Sequence, residues 1–263
     1  MRHSEQPNAQ KSLIESTAAP GPSPYFSAVI VDAIPELLDA SYSLRYQVYC
    51  RERQFLRAED YPDGREIDEY DPHSTHAVVV NREGEIVATA RLIRLTDAGL
   101  PLLDRCTLFP DERPLDDPGR RVVEVSRLSV SRRYNRRAGD SHYALQGAKF
   151  EPDGRERRGN ARGGEIIMTL CKGLWQASKR SGYTHWLAAT EKSLQRLLSV
   201  YCMPFKPIGP EVNYYGRVTP YSMDVAEFDR VILSGEIPLV SDFLDGLEPE
   251  FHPAGPPADT QRR

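Results

Sequence analysis

Val122-Val123-Glu124-Val125-Ser126-Arg127-Leu128-Ser129-Val130 is the stretch on which the architecture turns. Its five apolar residues, bounded by polar, turn-prone segments, predict a strand in the core of a sheet. Glu124 and Arg127 interrupt it, and a charge buried there costs several kcal/mol unless another group pairs with it. Three segments elsewhere offer partners: Arg45, the acidic run Glu66–Asp71, and Arg91. In a regular strand Glu124 and Ser126 share one face and Arg127 takes the other. The two charges reach one cleft only if a β-bulge shifts the register between them. Without a bulge, Arg127 is a structural residue that pairs with the acidic run on the opposite side.

The chain has 263 residues, 40% hydrophobic and 27% charged, with a net charge of −4. That balance predicts a soluble globular protein and argues against a nucleic-acid partner. No run approaches the roughly 18 apolar residues of a membrane span, and Met1–Pro24 lacks the apolar centre of a secretory signal. Cys50, Cys106, Cys171 and Cys202 are scattered without paired spacing. The expectation is a cytoplasmic protein without disulfides or a metal site.

Residues 1–24, rich in Ser, Pro, Ala and Gln, read as a disordered tail. Tyr25–Val31 predicts a first strand, and Pro35 opens a helix running to about Arg53. Arg45 sits beside its apolar face, where an arginine ordinarily snorkels to water. Gln54–Asp71 reads as a loop ending in four carboxylates within six residues, ordinarily a solvated run. Thr75–Val80 and Glu85–Leu95 predict a hairpin turning at Arg82-Glu83-Gly84, with Arg91 among apolar neighbours. Thr96–Gly119 reads as loop, and Ala138–Gly164 as a mobile Gly- and Arg-rich insertion. Ile166, Ile167, Leu170, Cys171, Leu174 and Trp175 make one helical face closed by Gly182. A strand (Tyr183–Ala189), a short helix (Glu191–Tyr201) and a last strand (Arg217–Val225) follow, with a loose tail after Phe251. Residues 25–250 thus read as one α/β domain, a mixed sheet flanked by helices.

Arg45-Tyr46-Gln47-Val48-Tyr49, Phe55, Glu66-x-Asp68-x-x-Asp71, Arg91 and Glu124-x-Ser126-Arg127 together resemble the signature of the acyl-homoserine-lactone (autoinducer) synthases, which have the GCN5-related N-acyltransferase (GNAT) fold. Tyr49 stands where that family has Phe, and Phe55 where it has Trp. The wording of Leu44–Glu52, Glu66–Asp71, Glu124–Val130 and Tyr214-Tyr215-Gly216-x-x-x-Pro220-Tyr221 resembles more closely the acyltransferases associated with PEP-CTERM/exosortase loci and the related N-acyl amino acid synthases. In that pattern His is expected where Tyr215 stands. The resemblance covers roughly residues 26–225 and leaves out the insertion and both tails.

It implies transfer of a fatty acyl group from the phosphopantetheine thioester of acyl carrier protein to a small-molecule amine, with no bound cofactor. The amine is S-adenosylmethionine in the lactone makers and an amino acid in the N-acyl amino acid synthases. It also implies a charge network of Arg45, Asp68, Asp71, Arg91, Glu124 and Arg127 around one cleft. Glu124, held on a core strand, is the candidate general base that takes the amine's proton. Backbone N–H groups near Leu128–Val130 are candidate donors to the tetrahedral oxyanion. Ser126 and Arg127 complete the candidate catalytic set, and Arg45, Phe55, Glu66, Asp68, Asp71 and Arg91 the substrate-binding set. Asp68 and Asp71 either hold a substrate cation or lock Arg45 and Arg91 in place.

Arg132, Arg133, Arg136 and Arg137 follow the central strand. They read either as a solvated loop or as a docking site for acidic carrier protein. The acetyltransferase pyrophosphate loop is present only as the fragment Arg136-Arg137-Ala138-Gly139, which favours a carrier-bound donor over coenzyme A. His185 reads as a core histidine. His73 and His76 flank the acidic run without metal-ligand spacing, and no base is placed for Cys106.

Overall fold

The computed structural model describes residues 19–23, 25–134 and 161–254. Its strands are β1 (Ala19–Ser23), β2 (Phe26–Ile30), β3 (Ser74–Asn81), β4 (Ile86–Arg94), β5 (Val122–Val130), β6 (His185–Thr190), β7 (Lys206–Pro207), β8 (Val212–Asn213) and β9 (Arg217–Asp224). The α-helices are α1 (Pro35–Tyr46), α2 (Pro101–Arg105), α3 (Ala161–Ser181), α4 (Lys192–Val200), α5 (Val225–Ser234) and α6 (Pro238–Ser241). One sheet runs in the order β1-β2-β3-β4-β5-β6-β9-β7, with β8 also pairing to β9. All pairings are antiparallel except β5–β6, which is parallel and places β5 in mid-sheet.

Alternation along the strands feeds two layers. On one face Val123, Trp186, Val79 and Leu92 pack against Ile166, Leu170, Leu174 and Trp175 of α3. On the other, Val29, Val31, Val78 and Val80 pack against Ile34 and Leu37 at the start of α1. The buried indoles are both satisfied: Trp175 Nε1 donates to Asp229 at 2.9 Å and Trp186 Nε1 to Ser178 at 2.9 Å. Gly173 lets α3 approach β2, since a Cβ there would lie 2.8 Å from the Cβ of Ala28. Gly173→Ala is expected to destabilise the domain by about 1–2 kcal/mol. Overpacking costs about 1–3 kcal/mol and outweighs the gain of up to about 1 kcal/mol in helix propensity. A denaturant midpoint equal to or above wild type would show that the helix can shift away freely.

Several elements differ from the sequence expectation. Ala19–Ser23, read as part of a disordered tail, forms edge strand β1 against β2. Its prolines are compatible with an edge, where a missing N–H leaves no ladder bond unmade. Helix α3 begins at Ala161, so Ala161–Gly164 are helical turn and not insertion. Residues 138–160 of the proposed insertion lie outside the described residues, as do residues 1–18 and 255–263 of the tails. Helix α1 continues through Gln47–Glu52 as a π-helical turn, reaching close to the expected end at Arg53. Helix α5 carries start and stop signals in the sequence: Asp224 caps it by accepting from Ala226 N at 2.8 Å, and Gly235 ends it at φ 67°.

Candidate functional site

Two irregularities in β5 create the site. Opposite β4, Arg91 pairs with Ser126 while Thr89 pairs with Ser129, so three steps on β5 span two on β4. The extra residue is a β-bulge, and Arg127 within it has φ 54°. A left-handed arginine costs about 1–2 kcal/mol, but the bulge turns its side chain onto the face that already carries Glu124, Ser126 and Arg91. On the other edge, β5 pairs with β6 only from Val122↔His185 to Glu124↔Leu187. Beyond Glu124 the strands part, and backbone groups along Val125–Leu128 border an open cleft in place of a neighbouring strand.

The cleft passes between the two layers. Cys171, Leu174, Trp186, Leu194, Leu198 and Phe205 line its apolar limb, against α3 and α4. Tyr49, Arg53, Phe55, Glu191, Tyr214 and Tyr215 line the other limb, with Glu124, Ser126 and Arg127 at the junction. Arg127 lies against two neighbouring rings, its Cζ 5.1 Å from the centroid of Tyr49 and 5.2 Å from that of Tyr215. Tyr215 also has positive φ, 50°, which presents its ring from the Tyr214–Gly216 turn.

Glu124 is 3% exposed. Its Oε2 accepts from the backbone N–H of Leu102 at 2.8 Å. Burial raises its carboxyl from the ordinary 4.5 to about 7; the Leu102 N–H and the charges of Arg91 and Arg127 pull the other way without cancelling it. This is a carboxylate that exchanges a proton near neutrality, inside a cleft.

Behind the cleft lies a closed ion-pair network. Arg45 Nε donates to Glu66 at 2.5 Å, and its two terminal nitrogens donate to Asp71 at 2.6 and 3.0 Å. Arg91 bridges Asp68 at 2.6 and 2.7 Å and Asp71 at 2.6 Å. Arg127 donates to Glu66 at 3.0 Å and to Asp68 at 3.0 Å. Three guanidinium groups thus meet three carboxylates. For Asp71, burial acts to raise the pKa, but hydrogen bonds from His76 and Arg45 win and hold it well below the carboxylate range. Asp68 is lowered in the same way, burial being overcome by Arg91.

His76 ties this network to the surface. Its Nε2 lies 2.9 Å from Asp71 and its Nδ1 2.8 Å from Asp32, while the Tyr42 ring stands edge-on to it. Burial pushes the imidazole pKa down, and the bonds to Asp32 and Asp71 push it up further, so it ends raised above 6.5. Its stabilisation is therefore complete below the ordinary 6.5 and fades as pH rises through the raised value. Compared with His76→Gln, the wild type is expected to lose melting temperature over that range. Parallel melting curves from pH 6 to 9 would remove His76 from the lock.

Of the residues singled out from sequence, the structure brings Glu124, Ser126, Arg127 and Phe55 to the cleft wall. Arg45, Glu66, Asp71 and Arg91 are buried behind it, and Asp68 is nearly so. Arg132 and Arg133 are exposed just after β5, and Arg136 and Arg137 lie outside the described residues. His185 is half-buried at the start of β6 and contacts Thr184, in place of the expected core position. Sequence reasoning missed the Leu102 N–H, Tyr49 as a cation–π partner, and the Arg53–Glu191 ion pair. Only Tyr49 and Tyr214–Gly216 carried a signal, as part of the family wording. Among the described residues no cluster of His, Cys, Asp or Glu is arranged for a metal, and no helix is long and apolar enough to cross a membrane.

Comparison with solved structures finds the same fold elsewhere. TofI, in a ternary complex with an inhibitor and MTA, superposes with a TM-score of 0.51 at 19% identity, covering 86% of this chain and 99% of that one. BjaI, a CoA-dependent acyl-homoserine lactone synthase with SAM and isopentyl-CoA, gives 0.51 at 18% identity over 78% and 87%. The AHL synthase LasI gives 0.51 at 16% over 76% and 90%. No curated protein matches by sequence. Residues 44–144, which carry the end of helix α1, the π-helical turn, the acidic run and the central strand, match the acetyltransferase (GNAT) domain, and the chain has the GNAT fold.

Proposed function

We propose that this protein is an N-acyltransferase that moves a fatty acyl group from the thioester of acyl carrier protein to the amine of an amino acid or a related small molecule. The observation that carries the proposal is Glu124: a buried carboxyl poised at about 7, at the point where β5 and β6 separate. In this reading the acyl chain lies in the apolar limb between α3 and α4, and the amine approaches from the limb of Tyr49 and Tyr214. An ammonium acceptor gives its proton to Glu124, and the free amine attacks the thioester carbonyl. Backbone N–H groups bordering the cleft stabilise the oxyanion. Collapse breaks the C–S bond as the proton on Glu124 passes to the departing thiolate, and the freed Glu124 carboxylate takes the surplus proton of the attacking nitrogen, which leaves a neutral amide and releases one proton to water.

The ion-pair network supports the acidic run as scaffold: its carboxylates are already matched by arginines, so they hold Arg127 and the loop in place. Exposed Arg132 and Arg133 beside the end of β5 suit an acidic carrier. A second reading, an acyl-homoserine-lactone synthase using S-adenosylmethionine, draws on the likeness to TofI, BjaI and LasI. Mass spectrometry of the protein incubated with acyl carrier protein or coenzyme A thioesters, the twenty amino acids and S-adenosylmethionine separates them. An N-acyl amino acid is the expected product, and an acyl-homoserine lactone would establish the second reading. No product from folded protein would refute both.

A further inference from the structure

Arg53 and Glu191 form an ion pair across the limb opposite the acyl channel, from the end of the π turn to the start of α4. Both line the cleft, and their side chains keep 11% and 24% exposure. The guanidinium of Arg53 also stacks over Phe55 at 4.7 Å, which fixes its plane. Arg127 and Arg53 are the arginines of the described cleft wall, and they differ in one respect. Arg127 is held by two carboxylates and lies against two rings, so an incoming anion would have to displace a closed network. Arg53 has one carboxylate partner, and that partner reaches solvent.

We infer that Arg53 is the acceptor-recognition residue: it exchanges Glu191 for the carboxylate of the acceptor and thereby selects amino acids over amines that lack a carboxylate. A planar guanidinium held on a ring can match a carboxylate with two parallel hydrogen bonds, and Glu191 takes only one of its donors, Nη2. The exchange swaps one carboxylate for another, so no charge is left unpaired beyond Glu191, which turns to water. The inference rests on the acyl-transfer reading of the Glu124 cleft and assigns its substrate class.

The test uses the full chain with acyl carrier protein thioesters of several lengths, offering each of the twenty amino acids beside its own α-amide. Acylation confined to the acids is expected. Arg53→Gln should raise the KM for the acid roughly 10- to 100-fold, the scale of a lost charged hydrogen-bond pair, with a smaller change in kcat. Glu191→Gln, which removes the competing negative charge, should lower the KM for the acid and leave discrimination against the amide intact. Equal kcat/KM for acids and amides would overturn the assignment while acyl transfer itself stands. A Glu191→Gln protein with KM raised for both alike would also overturn it, as a merely structural pair behaves that way. Absence of acylation with every acceptor and donor would overturn the transfer reading and this assignment with it.

Discussion

Glu124→Gln is expected to fold and to lose turnover by roughly 10²–10⁴-fold, the usual worth of a positioned general base. The substitution keeps the shape and the acceptor oxygen for Leu102 N–H while removing the proton-accepting charge. The wild-type rate should rise with pH through about 7, as Glu124 ionises. In the variant that inflection disappears and only the ionisation of the acceptor amine remains. A variant that keeps the wild-type rate and pH profile would take Glu124 out of the mechanism. Stability moves oppositely. A carboxyl raised from 4.5 to about 7 binds its proton more tightly folded than unfolded, so its contribution is full below 4.5 and lost as pH climbs through 7. At pH 8 the ionised, buried group costs the wild type on the order of 3 kcal/mol, at 1.36 kcal/mol per tenfold change in affinity. Glu124→Gln should therefore melt higher than wild type at pH 8 and approach it at pH 4.5. Lower turnover together with higher stability at pH 8 in Glu124→Gln would be the signature of a functional carboxylate.

Asp71→Asn is expected to be the most damaging conservative change in the network. Asp71 accepts from Arg45, Arg91 and the backbone N–H of Asp68, and it contacts His76. Removing its charge leaves three guanidinium groups facing two carboxylates in a buried site. Breaking one side of a buried ion pair costs about 3–5 kcal/mol, or roughly 10 °C in melting temperature for a domain of this size. Asp68→Asn should cost less, because the Asp68 side chain is 13% exposed and water reaches its partners. Thermal denaturation of the two variants at pH 7 checks the order. An Asp71→Asn protein as stable as wild type would mean that the arginines find other partners.

What could be read in advance divides along physical lines. The nine residues of β5 announced themselves, since a run of Val and Leu between polar segments has few alternatives. Alternation alone also posed the right question about Arg127, because Glu124 and Arg127 have opposite parity. The bulge that answers it depends on register with β4, which no local pattern encodes. The arginines and carboxylates were legible as types through family wording. Their pairing was not, because each bond crosses from one element to another. The Leu102 N–H was hidden for a different reason: a five-residue helix inside a Pro- and Asp-rich loop has too short a period to detect. Edge strand β1 was masked by its prolines, which argue against a strand anywhere except at an edge.

The ion-pair network also bears on how the chain reaches its native state. Its partners stand 20 to 61 residues apart, on α1, the acidic loop, β4 and the bulge of β5. None of these charges can leave water profitably until all the segments have arrived, so the cluster is assembled after the sheet and helix have docked. It contributes little to the folding transition state and much to the barrier against unfolding. Asp71→Asn should accordingly leave the refolding rate nearly unchanged and accelerate unfolding, so the arginine–carboxylate cluster serves as a kinetic clasp that closes last and opens first.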